Sequence, residues 1–167
     1  WTIHLIGQGI LSAENISIDS EDNILVQGYL NGGIEIDGQI VGFPGKGIRT
    51  GVVLKLNPNG KLMWHKEFLP FSPNGVACRF ISSDINNKVY FDIFTQNDSI
   101  IIGNRMYYTK QDSIFYSSFI VKMDPNGNVV WVTPIGNSRK GTWVSVYNIF
   151  ITPKGQLIVS GIYYTEW

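Results

Sequence analysis

The chain of 167 residues carries 13 Lys+Arg against 13 Asp+Glu, with 44% hydrophobic and 13% aromatic residues. That composition belongs to a globular chain long enough for one domain with a sizeable core, not to a disordered one. Zero formal net charge gives no electrostatic case for nucleic acid or an anionic membrane, and no apolar run approaches the roughly 18 residues of a membrane span.

The N-terminus reads WTIHLIGQGI, with no initiator Met and no signal peptide. The native start is therefore expected to be processed or to lie outside this sequence. Trp1 leads into TIHLIG as Trp131 leads into VTPIG, so residues 1–10 read as the outer strand of a preceding unit. Alternation of apolar and polar residues then predicts an innermost strand at about 15–19 and a second at about 23–30. A Gly-rich insert spans 31–51. A third strand follows at about 51–57 and an outermost one at about 61–68. Asn59-Gly60, entered by Pro58, sits between two apolar runs and reads as a hairpin, because both residues tolerate positive φ. The next unit is expected at about 88–95, 98–106, 118–124 and 128–134, with Pro125-Asn126-Gly127 at its last turn. The stretch 69–88 is longer than a link needs to be and reads as a decorated loop or an extra strand. Two further strands are predicted at about 146–152 and 156–163. No segment shows sustained helical periodicity with caps.

Two stretches share one frame. VVLKLNPNGKLMW (52–64) and FIVKMDPNGNVVW (119–131) match at Lys55 and Lys122, Pro58 and Pro125, Gly60 and Gly127, Trp64 and Trp131, always at the same spacing. A second frame is read in 16–30, 91–106 and 148–163, each an alternating stretch, a polar turn and a β-branched run ending in Gly28, Gly103 or Gly161. Four-stranded antiparallel units recurring in line are the blades of a β-propeller. Trp64 and Trp131 are expected to fill the space between neighbouring blades.

At these residues the chain resembles the SBBP-type (seven-bladed) β-propeller repeat family of bacterial secreted and surface proteins. Asp19, Asn23, Ile24, Val26 and Gly28 fit the first half of that repeat. Val53, Lys55, Leu56, Asn57, Gly60 and Trp64 fit the second half, and Ile120, Lys122, Met123, Asp124, Gly127, Trp131 and Gly136 fit the next copy. Asp22 stands where the pattern has Gly, and QNDSI (96–100) stands where it has a D-G-N-I turn. The resemblance implies an all-β chain: a β-propeller of about two and a half four-stranded antiparallel blades, part of a larger closed propeller. Its divisions would be an outer strand at 1–10, blades at 11–69 and 70–137, and the start of a further blade at 138–167. It also implies an extracellular, surface or virion-like particle setting, with other protein chains or the remaining blades as partners.

No metal site, cofactor or catalytic residue is read from the sequence. His4 and His65 lie near the recurring tryptophans without ligand-spaced acids or thiols. Cys78, the single cysteine, reads as a buried small hydrophobe. Glu35 and Asp37 alternate in the insert and read as solvated. DSED (19–22) reads as turn chemistry, since it lacks a calcium-loop pattern. Sequons stand at Asn15 and Asn97. Aromatics outside the frame are the candidate binding residues: Phe43, Tyr107, Tyr108, Trp143, Tyr163 and Tyr164, with Phe115. Their structural alternative is to cover blade edges. The expected function is a non-catalytic scaffold for protein contacts or for surface or particle architecture. One alternative is a quinoprotein-like dehydrogenase whose site lies in other blades, since GKLMW and GNVVW resemble its outer-strand motif. The other is a carbohydrate-binding, lectin-like propeller that takes a glycan on its exposed aromatics.

Overall fold

The computed structural model describes residues 7, 9–43, 49–69, 75–95, 99–109, 117–136 and 142–165, the side chains of 117, 142–143 and 164–165 excepted. Trp1, His4, Asn97 and Phe115 lie outside the described residues, as do the side chains of Trp143 and Tyr164. The described chain is all β, without a helix. Its strands are β1 (Ile10–Ile18), β2 (Ile24–Asn31), β3 (Gly33–Ile36), β4 (Gln39–Gly42), β5 (Arg49–Leu56), β6 (Leu62–Phe68) and β7 (Val76–Ser83). They continue as β8 (Val89–Thr95), β9 (Ser99–Ile102), β10 (Arg105–Tyr108), β11 (Ser117–Met123), β12 (Val129–Ile135), β13 (Thr142–Ile151) and β14 (Leu157–Thr165). A first sheet has the order β1-β2-β5-β6 and a second the order β12-β11-β8-β7. Both are antiparallel meanders, each with a two-stranded hairpin inserted between its second and third strands: β3–β4 in the first, β9–β10 in the second. The hairpin β13–β14 follows. The described strands close no ring or barrel.

One turn recurs at five places. At Asp19, Asn57, Asp84, Asp124 and Thr152 the backbone N–H donates to the carbonyl four residues on, and the residue three on donates back. The side-chain oxygen of the same residue accepts the N–H four residues on, at 2.8 to 3.0 Å. This is a type I turn closed by a left-handed residue. Asp22, Gly60, Asn87, Gly127 and Gly155 occupy that last position, with φ between 59° and 80°. Pro58 and Pro125 pre-set the first turn residue, as expected. Asn59 and Asn126, by contrast, do not take positive φ, because the loop is one residue longer than a two-residue hairpin. Asp22 and Asn87 take this left-handed position with a short polar side chain in place of glycine.

The turns correct the alignment of the second unit. Asp84–Lys88 is the counterpart of Asp19–Asn23 and Thr152–Gln156. The first strand of the second sheet is therefore β7, inside the stretch 69–88. The strand expected at 88–95 is its second, and 98–106 is the inserted hairpin. Gly103 is consequently no counterpart of Gly28: it opens the two-residue turn between β9 and β10, at φ 62°. The sequence misled here because β9 is as β-branched as a sheet strand. The insert 31–51 likewise holds a hairpin, turned at Asp37-Gly38 with both φ positive.

The first strand of each sheet-and-turn unit, β1, β7 and β13, carries a bulge, between Ala13 and Asn15, between Cys78 and Ile81, and between Val146 and Asn148. Gly28 and Gly161 lie opposite two of these. A Cβ on Gly28 would stand 1.9 Å from the Ser12 carbonyl oxygen, and one on Gly161 2.4 Å from that of Ser145. Their role is close approach of backbones.

The core lies between layers. Leu25 and Val53 of the first sheet pack with Phe68, Val76, Ile81, Phe91, Ile93, Phe119 and Val121, and β9 adds Ile100 and Ile102. The opposite face of the second sheet, through Tyr90 and Ile120, packs on Val146, Ile149 and Ile151 of β13. The inserted hairpin β3–β4 covers the far face of the first sheet, where Ile34, Ile36 and Val41 meet Val52 and Leu54. The second sheet is thus stacked between the first sheet and the β13–β14 hairpin.

Candidate functional site

Polar chemistry in this molecule is concentrated at the joints between layers and at one groove on the rim. In the first sheet, β5 carries Lys55 to the turn after β1, where its Nζ meets Asp19 Oδ2 at 2.8 Å, both side chains buried. Asp19 also accepts the backbone N–H groups of Glu21 and Asn23 and the Asn23 amide. Burial alone would push this carboxyl up, but Lys55 and these donors outweigh it and hold it below the ordinary value. The matching Lys122 makes no such pair among the described residues. Its Nζ sits 4.8 Å from the Tyr90 ring centroid, and the Tyr90 hydroxyl donates to Asp84 at 3.0 Å. Burial and Asp84 push the Tyr90 hydroxyl up to about 12.

Trp64 joins the first two sheets. Its indole N–H donates to the Pro125 carbonyl at 3.0 Å, and its ring lies against Gly127, where an added Cβ would meet it at 3.1 Å. At the same end of the strands, on the β1 and β7 side of the joint, Ser20 donates through its N–H and its hydroxyl to Asn87 Oδ1, at 2.9 and 2.6 Å, and the Ser83 hydroxyl donates to the Ile18 carbonyl at 3.2 Å. Trp131 packs half-buried between the second sheet and β13–β14, edge-on to Tyr90 with centroids 6.1 Å apart.

The second joint is held by Asp92, which is fully buried. Its Oδ1 accepts the N–H groups of the two bulged residues, Arg79 at 2.9 Å and Phe80 at 2.8 Å. Its Oδ2 stands 3.4 Å from the Arg79 guanidinium, which also donates to the Ser145 hydroxyl of β13 at 3.1 Å. Burial pushes the Asp92 carboxyl up to about 7, against the pull of Arg79 and the backbone donors. In the first sheet the counterpart of Asp92 is Gln27, also fully buried, whose amide N and O find no hydrogen-bond partner among the described residues. Neither residue was singled out in the sequence. The available signal was a lone acid in VYFDIFT (89–95), a run otherwise aromatic or β-branched. Cys78 is buried near Asp92, and burial, with Asp92, pushes its thiol well above the ordinary value, so it is protonated and shielded.

The rim groove has a volume of about 960 Å³ and runs between β6, the β9–β10 hairpin and β12. Tyr107, Arg105, Asn104, Lys66, Asn128 and Trp131 line it. Of the candidate aromatics, Tyr107 faces this groove and packs edge-on against Phe119 at 5.9 Å, while Tyr108, next on the strand, is exposed. Phe43 follows β4, its N–H donating to the Gly32 carbonyl. Tyr163 borders a separate apolar hollow of about 610 Å³ between β12 and β13–β14. Phe43, Tyr107 with Tyr108, and Tyr163 thus lie in or beside three different elements of the described chain. Among the described residues no three His, Cys, Asp or Glu side chains are placed to hold a metal ion, and no helix is long and apolar enough to cross a membrane.

No protein-family model matches this sequence, and no curated protein is significantly similar to it.

Proposed function

We propose that the chain is a non-catalytic β-propeller scaffold of SBBP type, about two and a half blades of a larger closed propeller, serving protein contacts or surface or particle architecture. One observation carries the reading. Successive four-stranded meanders stack face to face, and the outer-strand Trp64 of one donates to the outer turn of the next, at Pro125. Radially stacked antiparallel sheets with recurring turns are propeller construction, and the polar groups found at the joints tie layers together. An exported or surface setting follows from the same family resemblance. Fold alone does not fix function, so the test must address both. Electron microscopy of the protein as isolated from its source is expected to show a closed ring of blades; an open, unclosed stack would overturn the propeller. Adding pyrroloquinoline quinone and calcium is expected to give no dye reduction; reduction would replace the scaffold with the dehydrogenase alternative. Glycan-array binding that is lost in Tyr108→Ala would instead favour the lectin.

A further inference from the structure

We propose that the rim groove is a docking site for an extended, acidic segment of a partner protein, which adds to the second sheet as a strand beside β12. The inference rests on the reading of the chain as a scaffold for protein contacts, and it names the form and the charge of what is held. The groove's walls and floor are β6, the β9–β10 hairpin and β12, so it belongs to the joint between two successive layers of this chain. A further blade at either end of the stack would cover a sheet face and not this joint. The lining shows what the groove presents. Side chains of a strand alternate between faces, so a surface that borders one face meets every second residue. This groove borders Val129, Val130, Trp131 and Val132 in unbroken succession, and so reaches the edge of β12, where the backbone lies. That edge is free: β12 ends its sheet and pairs with β11 alone.

The opposite wall, β6, is also an end strand, but there the insert β3–β4 already takes one N–H, that of Leu62, on Asp37 at 2.6 Å. Edges are commonly blunted by Pro or by charge. β12 carries no charged residue, and its Pro134, which has no N–H to offer, stands beyond the four residues that border the groove. An unpaired, unblunted edge inside a groove is the template that strand addition uses. Charge sets the kind of strand. Lys66 stands on the β6 wall and Arg105 on the hairpin. Glu67, the acid of the lining, is turned to the opposite face of the first sheet, where its carboxylate accepts the Gly42 N–H at 2.7 Å and lies 3.4 Å from His65 Nδ1. Asp124, whose carboxyl Lys66 helps to hold below the ordinary value, already accepts from Asn126 and Asn128. Arg105 has no acidic partner among the described residues. The groove is thus cationic, and charge complementarity selects an acidic occupant. A strand beside β12 that alternates acidic and apolar residues puts its acids toward Arg105 and Lys66 and its apolar side chains beside Trp131.

The test is fluorescence anisotropy of short labelled peptides on the purified protein. The probes are a peptide of alternating Val and Glu, one of alternating Val and Lys, and two forms of the first, methylated on the Val or on the Glu backbone nitrogens. The Val–Glu peptide is expected to bind and the Val–Lys peptide not. One methylated form is expected to lose binding and the other to keep it, because alternate N–H groups of a strand point to opposite edges and only one edge meets β12. Arg105→Glu, at an exposed position and checked for retained β structure by circular dichroism, is expected to weaken the Val–Glu peptide about tenfold and to admit the Val–Lys peptide. No binding, no preference for Glu over Lys, equal behaviour of the two methylated forms, or an unchanged Arg105→Glu would each overturn the proposal. Retention of alginate, a polyuronate, with no peptide held would overturn it in favour of an acidic glycan. A closed ring in the microscope without peptide binding would strike the groove and leave the propeller standing; peptide binding by an open stack would do the reverse.

Discussion

A lysine that is almost wholly buried balances the charge of the first turn. Lys55 neutralises Asp19 at 2.8 Å, so Lys55→Met would leave a buried carboxylate without its counter-charge. The expected cost is about 3–5 kcal/mol, measured by urea unfolding. Asp19→Asn in the same chain should recover part of it, because the turn keeps its acceptor while the stranded charge is gone. Lys122→Met should cost only about 1 kcal/mol, since that ammonium is half-exposed over an aromatic face. Both lysines were legible as a frame; their different roles were not, because the partner differs at Leu25 and Tyr90, outside the shared motif. Asp92 makes a pH prediction. Its carboxyl moves from an ordinary 3.8 to about 7 on folding, so between those values the folded state holds the extra proton. Its stabilising contribution is complete below the lower value and is lost as pH rises through the upper one. The unfolding midpoint should therefore fall from about pH 5 to about pH 8, and Asp92→Asn, which keeps an acceptor for the two bulge N–H groups, should flatten that fall. An unchanged slope in the variant would remove Asp92 as its source.

At the scale of the element, the bulge and the turn decide what side chains are allowed. Gly28→Ala places a methyl into the Ser12 carbonyl, and the pair β1–β2 must open to admit it. A loss of about 3 kcal/mol is expected, read as a lower melting temperature with the sheet spectrum retained; no loss would mean that the bulge relaxes freely. Most strands were legible, because period-2 alternation and β-branched runs mark them wherever a sheet has one covered face. The first unit, the third hairpin and the turns at Pro58 and Pro125 could all be read this way. The second unit was shifted by one strand. Its innermost strand, VACRFISS, interrupts its alternation with Arg79 at the bulge, and the inserted β9 supplied a cleaner β signal further on. The site residues were harder still. A buried Asp or Gln inside a strand is visible only once the layer packed on it is known, and aromatic residues do not reveal in sequence whether they face a groove, as Tyr107 does, or solvent, as Tyr108 does.

At the scale of the whole molecule, the layers are coupled by few polar bonds and much apolar area. Trp64→Phe keeps the ring and deletes the indole donor to Pro125; a loss of about 1 kcal/mol is expected with unfolding still in one step. A second unfolding step would show that this bond, and not the core around Phe91, holds the sheets together. The order of layers has a further consequence for how the chain comes to be folded. Every sheet is assembled from strands that are neighbours in sequence, with only a short insert between its second and third, so each can close soon after its last residue leaves the ribosome. The finished sheet then offers its Leu25-type face as the surface on which the next innermost strand lands. Synthesis thus lays the layers down in the order in which they stack, and the sticky surface waiting at any moment is one face wide.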